Sequence, residues 1–562
     1  MIPFPDTVQF QIMDTQRLIL FAIFSFSLLL LWESWQNKDQ VPPAAQTQQQ
    51  SATTAESGAV PTPTATPVAS GQSVAPVSAV QATGLSKGSR AIVKTDLFSA
   101  EIDANGGVLR SLILDHYHEV QDTKQHLNLL EDDPARPYIA QSGLLGQGPN
   151  HKTLYQLVPG TYELKPGQDT VSVPLTYSDP ARGLTVTRTY TFHRGSYKID
   201  LTSRVVNAGS QSVSLDAYYQ LVRNGDKPEG EGRFLNTFTG PAIYTDEQKF
   251  QKLQFKKITD GSAEYQKNAS SGWVGMLQHH FVSAWLPQPG IKREFYAKDL
   301  GNNLFSAGVI VFNGSVAPGQ EKTTAVSLYA GPQLQRQLEE AAPGLDLTRD
   351  YGWLTPLSAP IFWALSKIET LVGNWGWAII ILTFLIKLAL YPLSATSYKS
   401  MAQMRKLTPR LQKLKEMYGD DRQKLHQAMA ELYKKEKINP LGGCLPIVLQ
   451  IPVFIALYYC LIAAVEMRGA PWMGWIHDLS APDPFYILPV VMALTSILQV
   501  KLNPTPPDPM QAKMMMIMPV VFSVMFLFFP AGLVLYWVTS NTLSIAQQWA
   551  INKQFDTGHA KT

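Results

Sequence analysis

The stretch AIIILTFLIKLALYPL, residues 378–393, sets one lysine inside a run of apolar side chains. Ten apolar or near-apolar residues, Trp377 to Ile386, lead to Lys387, and more follow. Crossing a bilayer as a helix takes about 20 residues, so the segment predicts a span over 375–396. At about 1.5 Å of rise per residue, Lys387 lies about 15 Å beyond Trp377, near mid-depth. A cation there costs about 2.5–3.5 kcal/mol on insertion scales. Two readings are open. The aliphatic stem can carry the ammonium out to the headgroups. Alternatively the helix has a wet face: Thr383, Lys387, Tyr391 and Ser394 recur at intervals of four, four and three and share one stripe.

The same pattern returns near the end of the chain. In GLVLYWVTSNTLSIAQQW, Tyr536, Ser540, Ser544 and Gln547 align, flanked by Thr539 and Asn541. Gln450 interrupts the apolar PIVLQIPVF. Each polar residue alone is equally a hydrogen-bonding contact between membrane helices. Together they predict a hydrophilic groove bounded by several helices, with Lys387, Thr383, Tyr391, Gln450, Tyr536 and Ser540 as its candidate residues.

Working outward, further spans are expected at 441–465, 485–501, 514–529 and 531–550, the last two joined as a tight hairpin through FPAG. The chain of 562 residues carries a net charge of only +3, which gives no global field for nucleic acid. Its two cysteines, Cys444 and Cys460, share one apolar segment, so the long polar part has no disulfide framework. After a short N-terminus (1–17), residues 18–35 read LILFAIFSFSLLLLWESW. A cleavable signal peptide would have a shorter apolar region and a small-residue cleavage site. This run ends in Trp32, Glu33 and Trp35 and reads as an uncleaved anchor. Residues 36–88, rich in Pro, Gln, Ser, Thr and Ala, read as a disordered tether.

From 89 to 350 the period is two. TVSVPLTYS, LTVTRTYTF, YKIDLTSRV and SVSLDAYYQL alternate apolar with polar between Gly- and Asn-bearing turns, predicting a large antiparallel sandwich. At 356–373 the period becomes helical, with Ile361, Phe362, Leu365, Ile368 and Val372 on one face, Pro360 in the first turn and Gly373 as stop. Such a helix either lies at the membrane surface or packs on the sandwich.

The loop 398–438 holds eleven Lys or Arg against five acidic residues, whereas 466–484 holds one Arg against three. The positive-inside rule puts the first loop, both chain termini, loop 502–513 and the tail 551–562 in the cytoplasm, and the sandwich outside. Loop 398–438 itself reads as a helical hairpin: Thr408 caps and Pro409 opens the first helix, Gly419 stops it, and Asp420 or Asp421 caps the second. Its basic surface is solvated, or meets anionic lipid or RNA. His116 and His118 have metal-compatible spacing without an evident third ligand. The sequence offers no phosphate-binding glycine loop, zinc motif or nucleophile elbow, so neither an enzyme nor a cofactor or nucleotide is expected.

INPLGGCLPIVLQIPVFIALYY, WIHDLSAPDPFYILP and FPAGLVLYWVTSN resemble the bacterial YidC-type insertases of the oxidase-assembly insertase family, and the resemblance covers essentially the whole chain. It implies five core helices around a groove open to cytoplasm and lipid and closed outside. It also implies that a basic residue of the second span attracts acidic parts of the substrate. Lys387 occupies that position, where many relatives have arginine; lysine keeps the charge without the bidentate fork. Thr383 and Tyr536 match the family's threonine and tyrosine, and Trp537 stands where some members have a second tyrosine. The outer domain is similar to sugar-processing supersandwich folds and is not known as an enzyme. Some relatives dock ribosomes through a long basic tail; NKQFDTGHAKT is short.

The expected fold class is thus a multi-domain membrane protein: an α-helical polytopic core with an N-terminal anchor span, a large all-β periplasmic sandwich and a cytoplasmic helical hairpin. The expected function is insertion and folding assistance for nascent membrane proteins in the bacterial inner membrane. Partners are the lipid bilayer, the Sec translocon and ribosomes. Two rivals are a small-solute or proton-coupled transporter using Lys387, without the internal repeat such folds carry, and an anchored periplasmic carbohydrate-binding protein.

Overall fold

The alternating stretches become strands because each buries one set of side chains against a second sheet. The computed structural model describes residues 60–61, 63, 87–119, 124–228, 238–351, 354–418, 421–436, 445–503 and 509–558. The expected anchor (18–35) and nearly all of the tether lie outside them, as do Cys444 and Gly419.

Two sheets of ten and nine strands face each other. Strands Thr170–Asp179, Leu184–His193, Lys198–Asn207 and Gln320–Pro332 are consecutive antiparallel neighbours in the nine-stranded sheet. Strands Arg293–Gly301, Leu304–Val311, Ala217–Asn224 and Tyr138–Leu144 run in that order through the ten-stranded one. The pairing is not purely antiparallel: Arg90–Lys94 pairs in parallel with Gly160–Glu163. Phe98 meets Phe192 and Tyr197 across the core, and Tyr219 meets Trp285, with ring centroids 5.3–6.1 Å apart. Each such fully buried large side chain contributes about 1.5–3 kcal/mol.

Two departures from simple alternation stand out. SVSLDAYYQL divides into Val213–Ser214 and Ala217–Asn224, and every residue of the second strand is buried, on both sheet faces. Along Leu184–His193 the buried set includes Arg188. Its guanidinium donates to the Gly106 and Ser142 carbonyls and the Ser142 hydroxyl, and lies 5.5 Å from the Tyr155 ring centre.

Ten α-helices occur among the described residues. Two short ones, α1 (Phe255–Thr259) and α2 (Gln335–Ala341), belong to the sandwich. The rest form the C-terminal helical region: α3 (Thr355–Val372), α4 (Trp375–Ala389), α5 (Tyr391–Tyr418), α6 (Arg422–Lys435), α7 (Leu445–Ala463), α8 (Ile487–Leu502), α9 (Pro509–Met525) and α10 (Ala531–Gly558). Helix α10 is the hub, packing on α4, α5, α7 and α8, while α9 packs on α8.

The expected continuous helix over 375–396 is not one rod. It turns by 68° between α4 and α5. Tyr391 precedes Pro392, whose ring disfavours helical backbone there. Among the described residues no single helix is long and apolar enough to cross a membrane, although this bent pair passes together. Helix α10 has the length, but Thr539, Ser540, Asn541, Thr542, Ser544 and the glutamines lower its mean hydropathy. Thr408 and Pro409 do not open a helix: α5 runs through them, and the Thr408 hydroxyl donates to the Met404 carbonyl. Pro360 likewise sits inside α3, past its first turn. Gly373 ends α3 in the left-handed conformation, and Asp421 caps α6 by accepting from the Lys424 N–H.

The two regions are joined at the C-terminal end of α7. His279 and His280, stacked 3.8 Å apart, both donate through Nε2 to the Ile462 carbonyl, at 3.0 and 2.8 Å. A helix's last carbonyls have no partner of their own, so the sandwich caps α7. Arg349 makes a bidentate pair with Glu466 at 3.0 and 2.8 Å and lies 4.1 Å from the Phe362 ring centre. Arg468 donates to the His118 carbonyl.

Candidate functional site

Three helices bring the polar residues together. Lys387 lies at the end of α4, Gln450 near the start of α7, and Ser540 and Ser544 one turn apart on α10. The ammonium turns inward, donating to the Ser544 hydroxyl at 2.7 Å and to Gln450 Oε1 at 3.3 Å. Gln450 Nε2 donates to the Ser540 hydroxyl at 2.6 Å, and the Ser544 hydroxyl donates to the Ser540 carbonyl at 2.8 Å. Among the described residues the ammonium has a hydroxyl and an amide as partners and no carboxylate. A half-buried cation with only neutral partners keeps an unspent attraction for an anion.

This network lines a cleft whose wall also includes Thr383, Leu390, Ser394, Tyr398, Gln499 and Asn503. The space open to the centres of water-sized spheres is about 70 Å³. One water needs roughly 10–15 Å³ on that measure, so the cleft has room for several.

The six residues singled out in the sequence are placed differently from one another. Lys387, Gln450 and Ser540 are hydrogen-bonded together. Tyr536 and Thr383 line the cleft but are 2% and 1% exposed. Thr383 spends its proton on the Ile379 carbonyl at 2.6 Å, within its own helix. Tyr391 is 42% exposed and is not among the lining residues. Asn541 donates to the Thr495 and Ser496 hydroxyls of α8, a hydrogen-bonded helix contact of the kind the sequence left open. Ser394 and Ser544, noted on the stripes, do line the cleft. Gln499, Asn503 and Tyr398 were not singled out. A four-residue spacing between Gln499 and Asn503 was the available signal, but Asn503 falls at the cap, beyond the apolar run.

Residues 90–364 match the family described as the YidC periplasmic domain, and residues 367–558 match the family described as the 60Kd inner membrane protein. A membrane protein insertase YidC from Thiobacillus denitrificans is 64% identical over 545 residues, covering 97% of this chain and 98% of its own. Another from Aromatoleum aromaticum is 54% identical over 547 residues, with the same coverage of 97% and 98%. A crystal structure of an active YidC insertase with its first transmembrane domain resolved covers 82% of this chain and 95% of its own, at 18% identity and a TM-score of 0.39. With full-length relatives above half identity and both halves matched, the chain belongs to the YidC family of membrane protein insertases.

Proposed function

We propose that the cleft around Lys387 is the insertion groove, and that it works without nucleotide. A hydrophilic segment of a nascent membrane protein enters the cleft and meets water, hydroxyls and amides in place of hydrocarbon. An acidic residue in it takes up the attraction that Ser544 and Gln450 leave open. At 4 Å and an effective dielectric of about 20, that attraction is about 4 kcal/mol before desolvation is subtracted. The substrate's apolar helix then moves from the groove mouth into lipid, at about −0.3 to −0.6 kcal/mol for each large aliphatic residue. The membrane potential adds its work on any charge carried across.

In this reading α4 with α5, α7, α8, α9 and α10 form the membrane core and α3 lies at the interface. The α5–α6 hairpin and both termini are cytoplasmic, the sandwich is periplasmic, and the ribosome and the Sec translocon deliver substrates. The observation that carries the proposal is the Lys387 ammonium held by neutral partners in a cleft with room for water. Single cysteines at Ser394 and at Phe384, which is 51% exposed, test it against a ribosome-held nascent chain. Crosslinking at Ser394 that depends on an acidic residue in the substrate is expected. Equal crosslinking at both positions, with or without that residue, would remove the groove from the mechanism.

A further inference from the structure

Gln450 has no need to be an amide to satisfy its neighbours. Its Oε1 accepts from the Lys387 ammonium at 3.3 Å, and its Nε2 donates to the Ser540 hydroxyl at 2.6 Å. A hydroxyl gives or takes a proton according to its partner. Glutamate has the shape of glutamine, and in this place it would accept from both Lys387 and Ser540. Hydrogen bonding therefore allows a carboxylate at 450, and the half-buried ammonium would gain a charge-assisted partner by it. What the amide preserves, and a carboxylate would remove, is the positive charge of the cleft.

The two contacts of the ammonium are also unequal. Ser544 Oγ stands at 2.7 Å and Gln450 Oε1 at 3.3 Å. A bond between an ammonium and a carboxylate closes to about 2.7–2.9 Å. The amide contact is the long, weak one, and the one an incoming carboxylate displaces. Ser544 is buried and donates its own proton to the Ser540 carbonyl at 2.8 Å, so it stays behind Lys387 as a fixed rest. Gln450 is half-buried and lines the cleft, and on displacement its Nε2 keeps the Ser540 hydroxyl.

We propose that Gln450 is a specificity-determining residue for insertion. Its amide holds the place of one substrate carboxylate against Lys387, aligning the ammonium without neutralising it, and yields that place when the substrate arrives. This rests on the reading of the cleft as the insertion groove, and adds that the cleft takes one acidic side chain at a time through one exchangeable contact.

Insertion by the full-length chain in proteoliposomes tests this, measured as the ratio between a substrate with an acidic tail and the same substrate with a neutral tail. Gln450→Glu is expected to lower the ratio about tenfold, as much as Lys387→Glu does, with a thermal unfolding midpoint equal to or above that of the unaltered chain. Gln450→Met, which removes the alignment and adds no charge, is expected to lower it about threefold. An unchanged ratio in Gln450→Glu overturns the proposal. So does an equal loss in the two Gln450 variants, or a lowered midpoint in Gln450→Glu, since either would place the effect in packing. Lys387→Glu tells the two readings apart. If it lowers the ratio and Gln450→Glu does not, the role of Gln450 alone falls; if it is itself inert, the groove falls and this role with it.

Discussion

Arg349 and Lys387 are cations placed at opposite ends of the same helix. Lys387 meets Gln450 near the start of α7, and Arg349 pairs with Glu466 just past its end. Gln450 and Ile462 are about 18 Å apart at helical rise. At the junction with the sandwich, the guanidinium side chain is 0% exposed, its carboxylate partner 17%, and the pair is bidentate beside an aromatic ring. In the cleft, the partners of the ammonium among the described residues are neutral. In the first arrangement the charge is balanced by a carboxylate, and the pair reads as structural. Among the described residues the second lacks the anion that would complete it, and in the proposed mechanism a substrate brings one.

The largest expected effect breaks the completed side. Arg349→Met leaves the Glu466 carboxylate partly buried and unpaired, at a cost of about 3–5 kcal/mol in denaturant unfolding. Lys387→Met strands no carboxylate and is expected to be neutral or slightly stabilising by the same measurement. If both substitutions cost alike, the distinction between the two cations fails.

The junction should also respond to acid. Burial, together with the nearby Arg468, lowers the His279 pKa to about 4, and burial beside His279 holds His280 well below its ordinary value. The unfolded chain takes up protons on these rings below about pH 6.5, while burial in the folded chain keeps them neutral, against the opposing pull of the Ile462 carbonyl. Their contribution is therefore whole above pH 6.5 and lost as pH falls toward 4, up to about 3 kcal/mol for His279. Unfolding free energies measured from pH 7.5 to 4 check this. In the His279→Gln/His280→Gln variant the slope should flatten; an unchanged slope would assign the acid sensitivity to other groups.

Smaller effects belong to the cleft. Lys387→Glu is expected to lower insertion of a substrate with an acidic tail about tenfold, equivalent to about 1.4 kcal/mol, while Lys387→Arg stays within about threefold. Ser544→Ala removes one neutral partner of the ammonium and should cost about 1 kcal/mol of stability or less, with insertion kept or modestly raised. A stability loss as large as that of Arg349→Met would mean that the cleft is held together by this network.

The sandwich was legible because period-two alternation is a local signal, and Leu184–His193 buries its alternate residues as read. Arg188 was passed over on that strand because a buried guanidinium depends on carbonyls at Gly106 and Ser142, far away in sequence. The stripe logic picked out Lys387, Ser540 and Ser544, since residues three and four apart do share a helix face, and Gln450 was legible as a polar break in an apolar run. It could not rank the hydroxyls: Thr383 bonds its own helix, and Tyr391 falls just past the turn at Leu390, where the stripe loses its straight axis. The histidine cap on α7 left no trace in local pattern, because His279 and His280 lie about 180 residues from the carbonyl they serve.

The central claim is that the free charge of Lys387 engages an opposite charge on the incoming chain. A charge-swap insertion assay addresses it most directly, pairing the unaltered chain or Lys387→Glu with a substrate tail that carries either acidic residues or lysines. Recovery of insertion when the Lys387→Glu variant is given the lysine tail is the result predicted. Equal insertion in all four pairings, by chains present in equal amount, would contradict it.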